Sequence, residues 1–141
     1  EYFHRDFHSS MNMGIHYLGE NYGLSSVEGF LERYTKNVYG PIFQAIRSDG
    51  LNAIRDKILD TYQKEHAEDA VSTDLADGTL TVRIQYCPAV KHLLSTGRAI
   101  SPWYPYTTKT VMKTLAEAGN FSFAMDSYDE KTGAAVYHFS S

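Results

Sequence analysis

The chain carries one cysteine, in the run Cys87-Pro88-Ala89-Val90-Lys91-His92. Alternating residues before it read as a strand, and Pro88 suits the first turn of a helix. Cys87 then takes the cap position. There, free backbone amides and the positive end of the helix dipole favour a thiolate. Lys91, one turn on, adds to that field. His92 lies about 140° round the helix axis, so it meets the thiol only through the non-helical geometry of the cap. The chemistry that fits is nucleophilic, with Cys87 attacking or contacting a substrate and His92 or His8 acting as acid and base. Against this stands a small apolar side chain at a strand end, because free cysteine is commonly buried. The residue types leave both open.

The next cluster is His4-Arg5-Asp6-Phe7-His8, with His16 further on. His4 and His8 are four apart and therefore neighbours on a helix. His4 falls at the centre of an apolar stripe and His8 at its edge. Histidines on a buried face need polar partners. A metal bound by His4 and His8 is one solution, completed by Cys87 or another histidine. A zincin pattern is absent, because no Glu follows His4, and hydrogen-bonded histidines are favoured over a metal. His16 falls on the polar face. The third feature is Ile100-Ser101-Pro102-Trp103-Tyr104-Pro105-Tyr106. Two prolines stiffen it, and Trp103, Tyr104 and Tyr106 offer flat walls with hydrogen-bonding tips. It suits either the wall of a small-molecule pocket, with His4 and Lys91 as further substrate contacts, or a cover over one end of the core.

Other chemistries are set aside. No glycine-rich phosphate loop or nucleophile elbow is present. Asp126, Asp129 and Glu130 surround a turn and read as solvated. A net charge of -4 rules out a broadly basic nucleic-acid surface. One cysteine rules out an intrachain disulfide or a Cys-rich zinc module. No apolar run reaches the roughly 18 residues of a membrane span. With 141 residues, 43% of them apolar, the chain can bury a core as a single domain over residues 1–141 without such staples. Glu1 is not a methionine and no signal-like segment follows, so a trimmed start is expected.

The elements that must position these residues read as helices first. Phe3, Phe7, Met11, Ile15, Leu18 and Tyr22 recur at helical spacing. Ser25 with Glu28 resembles a capping box for a second helix bearing Val27, Phe30, Leu31, Tyr34 and Val38. Gly40-Pro41 breaks or kinks it. A third helix carries Leu51, Ile54, Ile58 and Tyr62. Glu65, Glu68 and Asp69 then form an exposed acidic junction. After it the period becomes two: strands at Val71–Leu75 and Thr79–Tyr86 flank Asp77-Gly78, a strong hairpin signal. A short helix begins at Pro88. Another, capped by Thr107 or Thr108, carries Val111, Met112 and Leu115. Strands at Phe121–Met125 and Ala134–Phe139 close the chain. The order ααα-ββ-αα-ββ predicts an α+β fold, with helices on one face of a four-stranded antiparallel sheet.

The strand Val82–Tyr86 leading into Cys87-Pro88, the histidine-rich helical opening and the closing hairpin resemble the bacterial L-2-amino-thiazoline-4-carboxylate hydrolase-like family over most of the chain. That resemblance implies hydrolysis of a cyclic C–N bond in a small amino-acid-like ring. It also implies further cysteines downstream. This chain has none, and Tyr104 and Tyr106 stand in the aromatic loop instead.

The expected function is hydrolase-like action on a cyclic amide or thiazoline through a pocket at Cys87. The alternative is a non-catalytic module that binds a small ligand or metal. No resident cofactor, nucleic acid or membrane is expected; a homodimer and a cytoplasmic setting are.

Overall fold

A computed structural model describes residues 5–141 and gives six helices and four strands among them. The helices are α1 (Arg5–Tyr22), α2 (Leu24–Val38), α3 (Gly40–Asp49), α4 (Leu51–Lys64), α5 (Pro88–Ser95) and α6 (Tyr106–Ala118). The strands are β1 (Val71–Ala76), β2 (Thr79–Ile84), β3 (Ser122–Tyr128) and β4 (Ala135–Ser140). The fold is α+β. Where three helices were expected before the first hairpin there are four, because Gly40-Pro41 separates α2 from α3 outright. Pro41 sits in the first turn of α3, where it has no helical partner to lose.

All strand pairs are antiparallel, in the spatial order β1-β2-β4-β3. The alternation of β2 is as the sequence predicts: Leu80, Val82 and Ile84 point inward while Arg83 is exposed. Tyr86 departs from it, since β2 ends at Ile84 and the Tyr86 hydroxyl turns outward to donate to Asp69 at 3.1 Å. On β4, Ala135, Tyr137 and Phe139 continue the inner face. Against that face pack Ile46 of α3, Leu51, Ile54 and Ile58 of α4, and Val111 and Leu115 of α6. Ser72, Asp74, Arg83, Ala124 and Asp126 lie exposed on the other face. Helices therefore cover one face of the sheet.

A second layer lies beyond. Ile15 of α1 meets Val27 and Leu31 of α2 in a separate apolar cluster that also takes in Met11, Leu18, Trp103 and Tyr106. The inward stripe of α1 is rotated from the expected one. Phe7 and Tyr22 are 43% and 65% exposed, whereas Asn12 is 6% exposed. Asn12 faces inward because its amide serves the loop after α5: Nδ2 donates to the Ala99 carbonyl at 2.9 Å and Oδ1 accepts from the Ser101 amide at 2.9 Å. His16 is exposed, as expected, yet Nδ1 shares a 3.1 Å hydrogen bond with the Ser101 hydroxyl. Gly19 completes this seam. A Cβ there would stand 2.3 Å from the Trp103 ring.

Two expected caps are absent. Gly23, not Ser25, precedes α2, and Pro105 precedes α6, with no side-chain cap bond at either. Thr107 Oγ1 instead donates to the Tyr104 carbonyl at 2.7 Å, one turn back. No helix among the described residues is long and apolar enough to cross a membrane.

The Asn12 seam is the main polar tie between α1 and the loop carrying Tyr104. Replacing Asn12 by Ala would strand a buried amide and carbonyl, at a cost of about 1–3 kcal/mol. Urea denaturation should show that loss with an unchanged m-value. A loss below about 0.5 kcal/mol, the range of neutral surface changes, would show that the seam does not hold α1.

Candidate functional site

Between the two helical layers and the sheet lies a cavity of about 190 Å³. An apolar cavity of about 150 Å³ holds benzene, so this one suits a single small ring. Every layer contributes to it: α1 supplies His8, α4 supplies Ile58 and Tyr62 with Glu65 at its end, the β2–α5 junction supplies Cys87, and the closing hairpin supplies Tyr128 and Tyr137. Tyr104 closes it from the loop before α6.

Cys87 is the N-cap of α5, in extended conformation, as expected. Its placement rests on the closing hairpin. The Cys87 amide donates to the Thr132 carbonyl at 2.9 Å. Gly133, at φ 74°, lies so close that an added Cβ would come 2.3 Å from the Cys87 Cβ. Both the backbone angle and the space therefore require glycine. The backbone amides of Val90 and Ala89 at the helix start pull its pKa down, although the sulfur makes no side-chain cap hydrogen bond. Burial pushes it up more strongly, and Glu65 adds to that push. The thiol therefore rests above its ordinary value, opposite to the direction expected from the helix start alone. The dipole effect is real but smaller than desolvation.

His8 is pulled the other way. Burial lowers its pKa, Glu65 opposes that by favouring the imidazolium, and His92 reinforces it. Nδ1 of His8 and Oε2 of Glu65 are both shut off from solvent. At neutral pH His8 is thus an uncharged imidazole facing the same cavity as a protonated thiol. The two share the wall of one cavity, and Glu65 acts on the pKa of both.

The structure brings only part of the expected set together. Cys87, His8 and Tyr104 line the cavity. His92 is near enough for His8 to sense its charge but is not among the lining residues. Lys91 is exposed, with Nζ 5.0 Å from the centre of the Tyr86 ring. Trp103 packs on α1, edge-on to His16, rather than on the cavity. Tyr106 faces a surface groove with Glu28 and Lys109. His4 lies outside the described residues. No group of three or more His, Cys, Asp or Glu among the described residues could hold a metal ion.

Sequence reasoning missed Glu65, Tyr128 and Tyr137. Glu65, expected in an exposed acidic junction, is the C-cap of α4 and lines the cavity. The inward phase of β4 pointed at Tyr137, and Tyr62 already stood on the α4 stripe. The sequence carries a signal for this in its eleven tyrosines among 141 residues. No family model matches the chain, and comparison finds no curated protein and no solved structure that matches it.

Two measurements follow from this geometry. Because folding lowers the pKa of His8 from its ordinary 6.5, the unfolded chain binds the proton first as pH falls. Stability should therefore drop on acidification below about pH 6.5, by the linkage rule. His8→Gln should flatten that slope, and an equal slope in the variant would show that His8 is not held neutral. Gly133→Ala combines a left-handed backbone angle with overpacking against Cys87, which together should cost about 2–4 kcal/mol. Near-wild-type unfolding of that variant would contradict the close packing of the hairpin on Cys87.

Proposed function

We propose that this chain is a small-molecule hydrolase-like domain that opens a cyclic amide or thiazoline-type ring in the cavity at Cys87. The observation that carries the reading is the convergence of a thiol, a neutral imidazole and a carboxylate, from Cys87, His8 and Glu65, on one ring-sized cavity. The resemblance of the Cys87-Pro88 element to the L-2-amino-thiazoline-4-carboxylate hydrolase-like family points to the same chemistry.

In the proposed reaction His8 accepts the thiol proton as Cys87 Sγ bonds to the ring carbon of the C=O or C=N group. The displaced electron pair moves onto the exocyclic or ring heteroatom. Collapse of that adduct breaks the ring C–N bond, and the imidazolium returns its proton to the departing nitrogen. Water then adds to the sulfur-bound carbon with His8 as base, and the thiol leaves regenerated. The sum is one substrate and one water giving the ring-opened product. Glu65 favours the imidazolium and so lowers the cost of the charged intermediate stage.

The raised thiol pKa favours a second reading, in which the cavity binds its ligand without covalent chemistry. A buried thiol at rest is inert unless a base is engaged. In either reading the ligand is a small molecule. A lone free cysteine supports a reducing, cytoplasmic setting, and a homodimer remains part of the proposal.

Turnover of a panel of five-membered lactams, cyclic ureas and aminothiazolines separates the two. Cys87→Ser should reduce hydrolysis by at least about a hundredfold, the scale of a lost nucleophile–base pair, with little change in Tm. His8→Gln should do the same and should remove the acid limb of the pH profile. Hydrolysis that survives Cys87→Ser undiminished would overturn the nucleophile. Ligand-induced stabilisation without any turnover would favour the binding module.

A further inference from the structure

Four tyrosines surround the thiol: Tyr62, Tyr104, Tyr128 and Tyr137 all line the cavity with Cys87. Tyr104 and Tyr137 are 3% and 2% exposed. Each of the four hydroxyls feels the charge state of the Cys87 thiol, and Tyr62 also feels the other three. They are therefore gathered round one point. The Tyr86 hydroxyl, outside the cavity, donates to Asp69. None of the four inside it is among the polar atoms shut off from solvent without a partner. Hydroxyls on a cavity wall that stay accessible are the groups a ligand there would meet first.

We propose that the hydroxyls of Tyr62, Tyr104, Tyr128 and Tyr137 form, around Cys87, an uncharged donor cage that binds the carbonyl- or imine-type acceptor of a small ring. The proposal rests on the reading of this cavity as a substrate pocket and names the ligand class that it takes. Burial raises the pKa of all four phenols, so each stays a neutral donor across the physiological range. The charged groups that these hydroxyls sense are acidic: Glu65 at Tyr104, and Asp129 and Glu130 at Tyr128. Lys57, the lysine lining the cavity, is drawn to the Tyr39 ring, with Nζ 5.2 Å from its centre. A carboxylate or phosphate in the cage would thus face negative charge without a cation. A polar but uncharged C=O or C=N gains the donors and meets no repulsion. In the hydrolytic cycle the same donors sit where electron density builds on that heteroatom as sulfur attacks.

Chemical-shift titration with three probes of one size tests the cage: 2-pyrrolidinone, cyclopentane and cyclopentanecarboxylate. The wild type should bind the lactam in preference to both others. Tyr104→Phe and Tyr137→Phe keep the ring and remove the hydroxyl. Each should weaken lactam binding about three- to tenfold, the worth of one hydrogen bond, and leave cyclopentane binding unchanged. Without ligand each should keep the wild-type Tm, since a hydroxyl that serves the ligand holds no part of the fold. A fall in Tm would show that the hydroxyls serve the fold, and unchanged lactam affinity would show that they do not meet the ligand. Either result overturns the cage, as does preference for the carboxylate or binding of no probe. Tyr62→Phe repeats the test if one variant does not fold. Because binding needs no turnover, lactam selectivity with no hydrolysis upholds the cage while the hydrolase reading falls. Turnover untouched by the Phe variants upholds the hydrolase while the cage falls.

Discussion

The contact of Gly133 with Cys87 is the constraint on which the site depends. At that point the end of β2, the start of α5 and the turn of the closing hairpin meet, and there is no room for a Cβ between them. The Cys87 amide is fixed to the Thr132 carbonyl in the same place. Local sequence sets Cys87 at a helix cap. The long-range packing of residue 133 turns the cap into the floor of a cavity, because β4 follows directly and carries Tyr137 to the same side. The two hairpins are joined at the centre of the sheet through β2 and β4, so the thiol shares one support with Tyr128 and Tyr137, while Tyr62 and Tyr104 come from α4 and the loop before α6.

The upper wall is held differently. α1 carries His8 but contributes mostly to a separate apolar cluster with α2. Its link to the Cys87 side is polar and local: Asn12 and His16 on the loop backbone and hydroxyl of residues 99–101, and Gly19 on Trp103. His8 and Cys87, the acid–base group and nucleophile of the proposed reaction, thus sit on different layers, joined by a seam. Desolvation in the space between them keeps both groups uncharged at rest, raising the thiol and lowering the imidazole.

Much of the framework was legible in the sequence, for physical reasons that differ by element. The alternation of Leu80, Val82 and Ile84 and the Asp77-Gly78 turn are local signals, and they fixed β1 and β2 closely. Pro88 did the same for the start of α5. The orientation of α1 was not legible, because its inward face is built from Asn12 and Gly19 as well as Ile15, and apolar periodicity counts neither a polar side chain nor an absent one. Trp103 was drawn off the cavity for the same reason, since Gly19 makes room for it. The site was half legible. Cys87, His8 and Tyr104 stood out by type and setting. Glu65, Tyr128 and Tyr137 come to the cavity from a helix end and a distant hairpin, a proximity that only the tertiary fold creates. The direction of the thiol shift also needed the fold, because a cap position is visible in sequence and its desolvation is not.

The central proposal is that Cys87, a half-buried thiol protonated at rest, faces a cavity that takes a ligand. The rate of alkylation of the native protein by a small neutral reagent, followed across pH with and without 2-pyrrolidinone, tests it most directly. The account predicts slow labelling at neutral pH, an inflection above the 9.0 ordinary for a thiol, and protection by the lactam. Fast labelling at neutral pH with an inflection well below that value, or a rate indifferent to the lactam at every pH, would contradict it.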